Sequence, residues 1–319
     1  MAEAWGRRGL WGLAAGVLLV AAPVGAETHA AVPTFGVDVE VVSLSLAVTD
    51  SQGRPVPDVT AQDVAVFEDG HRQPICLFTR EEWPITLVVL IDSSDSMNLV
   101  LPVAKAAARR LLGVLGPGDR AEVAQFSRRL TVRQDFTSDR QALDAAVDAI
   151  AVDGETSLYD ALYISLKDLI ARRRSGELER RALVVLSDGN DTASMITDDQ
   201  VLDLARQAEV SVYAIGLHEA PQFDGPDPDP LPTYFLTTLT RETGGRAFFP
   251  SALGDLEGTY ARIAEDLRTL YGVAYVSSNP ARDGSWRRIQ IRTLRPNLLV
   301  RHRAGYYAPG AARVAHGRP

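Results

Sequence analysis

Cysteine is all but missing from this chain. Cys76 is the only one in 319 residues, so an intramolecular disulfide framework is excluded and a four-cysteine zinc site is impossible. Histidine is scarce too: a mixed Cys/His zinc site would need three of the scattered His29, His71, His218, His302 and His316. Basic charge is in deficit, with 33 Lys and Arg against 41 Asp and Glu and a formal net charge of −8. That balance argues against a general binder of nucleic-acid backbones, although Arg301, His302 and Arg303 form one local basic spot. Long apolar runs are absent as well; none reaches the roughly 20 residues a membrane-spanning helix needs. What remains, 46% hydrophobic and 23% charged, is ordinary for a globular protein of one large or two modest domains.

The first residues read as an address. Arg7 and Arg8 precede an apolar run at 10–22, and Val24, Gly25 and Ala26 supply the small residues a signal peptidase cuts after. Residues 1–26 are therefore expected to be a cleaved export signal, with a retained anchor as the alternative, and the mature protein to be periplasmic or extracellular. No cysteine stands at the cleavage point to take a lipid. Outside the reducing cytoplasm Cys76 is expected to be buried as a small apolar residue.

Residues 37–49 are β-branched and alternate apolar with polar side chains, the period of a half-buried strand. Two more strands are expected at 64–67 and 75–78, with Glu68-Asp69-Gly70 as a hairpin turn. Then the texture changes. Residues 85–91, ITLVVLI, form a continuous apolar run, as in a parallel strand covered on both faces. A helix over 99–115 follows, stopped by Gly116-Pro117-Gly118. Strands at 121–126, 130–136, 182–186, 210–215 and 246–249 alternate with helices at 140–151, 158–174, 198–208, 233–242 and 253–270. This pattern predicts an α/β fold: a doubly wound, mostly parallel sheet with right-handed crossovers. After residue 270 β texture returns at 271–277, 287–293 and 298–303. Neither terminal β unit is large enough to bury a core alone. Segments 35–82 and 271–308 are thus expected to pack into one small β-sandwich-like domain, with the α/β domain, 84–270, inserted between them and 309–319 as a tail.

In an open α/β sheet, ligands bind beyond the carboxyl ends of the strands. After ITLVVLI comes Asp92-Ser93-Ser94-Asp95-Ser96, a D-x-S-x-S pattern; Gly154-Glu155-Thr156 precedes a helix; Ser187-Asp188-Gly189 follows the apolar run 182–186. Three loops thereby bring Asp92, Ser94, Ser96, Thr156 and Asp188 to one edge. A hard divalent cation suits that set. Mg²⁺ takes about six oxygen ligands near 2.1 Å and keeps some of its waters. With only two carboxylates nearby the ion stays electrophilic, and a vacant position would favour a Glu or Asp of a partner protein.

Order, spacing and strand context resemble the metal-ion-dependent adhesion site of von Willebrand factor type A domains, over about residues 84–270. The resemblance implies Asp92, Ser94 and Ser96 as first-loop ligands, Thr156 as the second-loop ligand and Asp188 as the third. It implies Mg²⁺, with Mn²⁺ or Ca²⁺ as alternatives, and a non-enzymatic binding function. Phe67-Glu68-Asp69-Gly70 and the 303–309 segment RAGYYAP are similar to those of an exported, Acidobacteria-type subgroup of the family. Asp95 departs from the pattern, which usually has a small residue there, and is expected to add a charge beside the ion.

Each residue also has a plainer reading: Asp95, Ser96 or Thr156 as helix caps, Asp188 as a turn residue before Gly189, and Asp191 as a solvated loop charge. The acidic stretch 219–232, EAPQFDGPDPDPLP, is either a surface connection or, through Asp224, Asp227 or Asp229, part of the partner site. An alternative function is a hydrolase or phosphoryl-transfer enzyme using Asp92, but the position two residues on, which would carry a second acid, is Ser94. No G-x-S-x-G elbow offers a serine nucleophile. A third alternative is a structural role in which the metal serves stability alone.

Overall fold

The computed structural model describes residues 41–80, 83–172, 179–217 and 230–310, with side chains of the last stretch from residue 233. The expected export signal, His218, nearly all of the acidic stretch and residues 311–319 lie outside the described residues. Alternating β-branched residues build β1 (Val41–Thr49), followed by β2 (Val64–Glu68), β3 (His71–Gln73) and β4 (Ile75–Thr79). The hairpin turn at Asp69 and Gly70, both at positive φ (47° and 84°), joins β2 to β3. The expected hairpin partner is thereby corrected. Pro74 has no N–H to give a ladder, so β3 ends there and the chain crosses to another sheet as β4.

The central sheet has the order β10-β9-β8-β5-β6-β7. It comprises β5 (Ile85–Asp92), β6 (Arg120–Phe126), β7 (Leu130–Thr137), β8 (Arg180–Ser187), β9 (Ser211–Gly216) and β10 (Arg246–Phe248). All neighbours pair in parallel except β6 and β7. The period of two along β5 divides its side chains between two cores. Leu87, Val89 and Ile91 face α1 (Leu101–Leu112) and α6 (Leu256–Arg268), while Val88 and Leu90 face α3 (Leu158–Ala171) and α4 (Asp198–Ala208). Each such side chain withdrawn from water contributes about 1.5–3 kcal/mol before entropy is counted. The helices α2 (Arg140–Asp148) and α5 (Pro230–Thr243) complete the two covering layers. This is the doubly wound α/β arrangement. The helix expected at 99–115 is shorter at both ends: Pro102 sits in its first turn, where a missing N–H costs nothing, and Gly113 takes its C-cap.

After α6 come β11 (Tyr271–Val276), β12 (Trp286–Thr293), β13 (Leu299–Arg301) and β14 (Gly305–Tyr307). They join the first four strands in two four-stranded sheets, β13-β1-β11-β4 and β14-β12-β2-β3, each drawing two strands from either flank. The strand predicted at 298–303 is shorter, β13 alone, and β14 is a further strand just beyond it. The break between them moves the chain from one sheet to the other, and residue 305 must be glycine because a Cβ there would stand 2.2 Å from the Arg287 carbonyl oxygen.

Burial of Cys76 is contradicted: the residue is exposed. Against β11, Ile75 lies opposite Tyr275 and Leu77 opposite Ala274, so Cys76 is the extra residue of a β-bulge on an edge strand and turns outward.

Candidate metal centre

The hydrophobic run of β5 ends by placing a carboxylate at the sheet's carboxyl edge with no exposed surface: Asp92 is 0% accessible. Its Oδ1 accepts from the Ser94 amide at 2.9 Å and its Oδ2 from the Ser187 hydroxyl at 2.6 Å. The Ser94 and Ser96 hydroxyls lie 3.1 Å apart. Neither hydroxyl caps the short 3₁₀ turn Asp95–Met97 that follows, although Ser94 occupies the cap position. Thr156 is buried, and Ser157 rather than Thr156 stands at the N-cap of α3. Asp188 is half-buried at the end of β8; one of its oxygens accepts from the Asn190 amide at 3.0 Å, the turn role, while Gly189 takes φ +84°.

Backbone hydrogen bonds tie the three loops together. Asp153 N donates to Ser93 O at 2.7 Å and Asp95 N to Gly154 O at 2.9 Å, joining the first loop to the second. Thr192 N and Ala193 N both donate to Thr156 O, joining the second to the third. Thr156 therefore reaches the group through its loop; Ser94 and Ser96 touch directly. The Asp95 side chain accepts from Gly154 N at 3.2 Å, so this carboxylate staples two loops. Asp191 is more than a solvated charge as well. It accepts from Tyr159 N and from the Ser194 hydroxyl, at 3.2 Å and 2.6 Å, and anchors the third loop to the first turn of α3.

Burial pushes the Asp92 carboxyl up to about 6; the Ser187 and Ser94 hydrogen bonds oppose this, and the nearby charge of Asp188 adds to it. Among the described residues no Lys, Arg or His forms an ion pair with either carboxylate. Two acids and hydroxyl oxygens with no cation beside them fit a hard divalent ion, which would relieve the repulsion between the acids. No group of three or more His, Cys, Asp or Glu side chains placed to hold a metal ion occurs among the described residues. Sequence reasoning missed Asp160, gave Ser187 no role and read Asp191 as a solvated loop charge. Asp160 accepts from Met195 N and Ile196 N, and the signal for it, an acid in the first turn of a helix after Thr156, is too common to single out.

The sequence model of the von Willebrand factor type A domain matches residues 87–190. Residues 87–190 are recognised as a von Willebrand factor type A domain. An uncharacterized protein of Borreliella burgdorferi is 25% identical over 144 residues, covering 43% of this chain and 42% of that protein, so the chain spans well under two thirds of this curated relative. A von Willebrand factor type A structure from Catenulispora acidiphila covers 88% of this chain and 76% of its own at 12% identity, with a TM-score of 0.50. At that identity the likeness concerns the fold. Proximal thread matrix protein 1 of the mussel byssus, solved with zinc in its adhesion-site motif, is 16% identical, covering 63% of this chain and 50% of its own at a TM-score of 0.49. Among the described residues no helix is long and apolar enough to cross a membrane.

Proposed function

We propose that the protein is an exported, non-enzymatic binding module that captures an acidic side chain of a partner protein through a divalent cation. The carrying observation is the cation-free pair of buried Asp92 and half-buried Asp188, with the Ser94 and Ser96 hydroxyls on the loop that follows Asp92, at the end of a von Willebrand factor type A sheet. Asp92, Ser94, Ser96, Thr156 and Asp188 would hold the ion, Mg²⁺ by the hardness of its oxygens, with Mn²⁺ or Ca²⁺ as alternatives. When bound, the ion supplies an electrophilic position for an external carboxylate. The rest of the work belongs to the chain: Ser187 holds Asp92 in place, and the Asp95, Asp160 and Asp191 contacts keep the loops in register.

Both oxygens of Asp92 already accept hydrogen bonds, which suits a positioning carboxylate better than the nucleophile of a hydrolase. Two apolar side chains stand out on the loops that carry the acids, Leu99 at 85% exposure and Met195 at 91%, and offer non-polar contact to a docked protein. Nucleic acid is not the partner in this reading. In domain terms we propose an export signal over 1–26, the type A domain over 84–270, and segments 35–82 and 271–308 as one supporting β unit.

Capture of envelope proteins by the immobilised full chain tests the reading. Binding in Mg²⁺ is expected to disappear in chelator and in Asp188→Ala, with the melting temperature of Asp188→Ala near wild type when both are in chelator. Undiminished capture in chelator overturns it.

A further inference from the structure

A cleft of about 1090 Å³ opens between α5 and β10 on one side and β12 and β13 on the other. It is formed by residues outside the loops of the metal centre. Its walls carry Arg241, Arg246, Arg288 and Arg292, in a chain whose formal net charge is −8. Arginines elsewhere in the fold are commonly neutralised, as in Arg206 with Asp203 and Arg287 with Glu68, and Arg301, which also lines the cleft, pairs with Asp266. The other four cleft arginines are less compensated. Arg246, Arg288 and Arg292 have no carboxylate within ion-pair distance among the described residues, and Arg241 has only Glu242 at 3.8 Å. Glu242 is the one acid in the lining, and it is also engaged by Arg206 at 3.3 Å.

Two of these guanidinium groups are held by stacking. Arg246 lies over the Phe248 ring at 4.9 Å and Arg292 over Phe67 at 4.4 Å. Stacking spends the face of the group and leaves its in-plane N–H donors for an oxyanion. His302 adds no charge: its Nε2 accepts from Ile291 N, and burial lowers its pKa.

The cleft also looks onto strand edges. β10 is the outermost strand of the central sheet and β13 the outermost of its own. Consecutive residues Gly244, Gly245, Arg246 and Ala247 all line it, as happens when a cleft meets a strand along its edge rather than on one face. Phe249 and Val300 add apolar surface.

We propose that this cleft receives an extended acidic segment of a partner polypeptide, which adds as a strand along β10 and places its carboxylates against Arg241, Arg246, Arg288 and Arg292. Main-chain pairing supplies adhesion, and the arginines select acidic side chains. The negative charge of the whole molecule repels a long polyanion such as nucleic acid, whereas a short acidic strand meets the local positive field alone.

The test uses the full chain, in chelator so that the metal centre cannot contribute, and follows fluorescence anisotropy of a labelled peptide of alternating Glu and Val. Wild type is expected to bind it. Arg288→Glu/Arg292→Glu, both exposed side chains, is expected to weaken binding by about tenfold or more with the melting temperature unchanged. A peptide N-methylated at alternate amides is expected to lose binding similarly, because strand pairing needs its N–H groups. Asp188→Ala is expected to bind like wild type, which separates this site from the metal centre. Absence of binding to wild type, equal binding by the charge-reversed variant or by the N-methylated peptide, or tighter binding of a single-stranded oligonucleotide each overturns the proposal.

Discussion

At the residue scale, buried carboxylates are the sharpest feature of the molecule, and they differ in how they are compensated. Asp92 has two hydrogen-bond donors and an acidic neighbour. Glu122, in the middle of β6 and 2% exposed, has an oxygen with no partner among the described residues; burial raises its pKa to about 7, helped by Asp168 and Asp135 and opposed by Arg172. The sign of the consequence follows. The folded form holds its proton up to about pH 7, whereas the unfolded carboxyl releases it near its ordinary value of 4.5, so stability is lost as pH rises between the two. Glu122→Gln is therefore expected to raise stability at pH 8 by up to about 3 kcal/mol and to flatten the decline from pH 5 to 8. Calorimetric melts at both pH values check this; a variant less stable than wild type at pH 8 contradicts it.

At the element scale, the candidate metal centre is a product of three loops whose spacing depends on hydrogen bonds between them. D-x-S-x-S, Thr156 and Ser187-Asp188-Gly189 were legible because each follows or precedes a strongly patterned strand or helix. The tie bars were not: Asp160 and Asp191 bond amides some 30 or more residues away in sequence, with separations of 36 for Asp160 to Ile196 and 32 for Asp191 to Tyr159. Asp191→Ala is expected to cost about 1 kcal/mol, the scale of losing a helix-start acceptor. Amide exchange at Tyr159 and across 192–196 should accelerate in this variant. Unchanged protection there would show that the third loop holds its place without Asp191. The same limit explains Cys76, whose strand was foreseen but whose outward aim depends on a bulge against β11.

At the scale of the whole molecule, the two flanks are joined by a buried charge cluster as well as by shared sheets. Glu68 accepts from the hydroxyls of Tyr275, Ser277 and Tyr306, at 2.8, 2.5 and 3.0 Å, and pairs with Arg287 at 3.2 Å. Burial pushes the Glu68 carboxyl upward, but these donors outweigh it and leave it below its ordinary value. Arg287→Met would leave that charge buried without its cation. The expected loss is about 3–5 kcal/mol in urea unfolding, since breaking a buried pair from one side costs more than the pair contributes. A loss under about 1 kcal/mol would mean that the three hydroxyls alone suffice.

The sequence by itself determined the strand and helix order of the central sheet, because apolar runs and helical periods are local patterns written in consecutive residues. It also determined which side chains gather at the carboxyl edge, because a parallel sheet sends every strand-end loop to that edge. Only the tertiary structure decided which strands pair across the flanks, how Glu68 of one flank meets Tyr306 of the other, and that arginines from α5, β10 and β12 share one cleft. Those contacts join residues far apart in the chain, and no local period encodes them. Their geometry exists only once the sheets have closed.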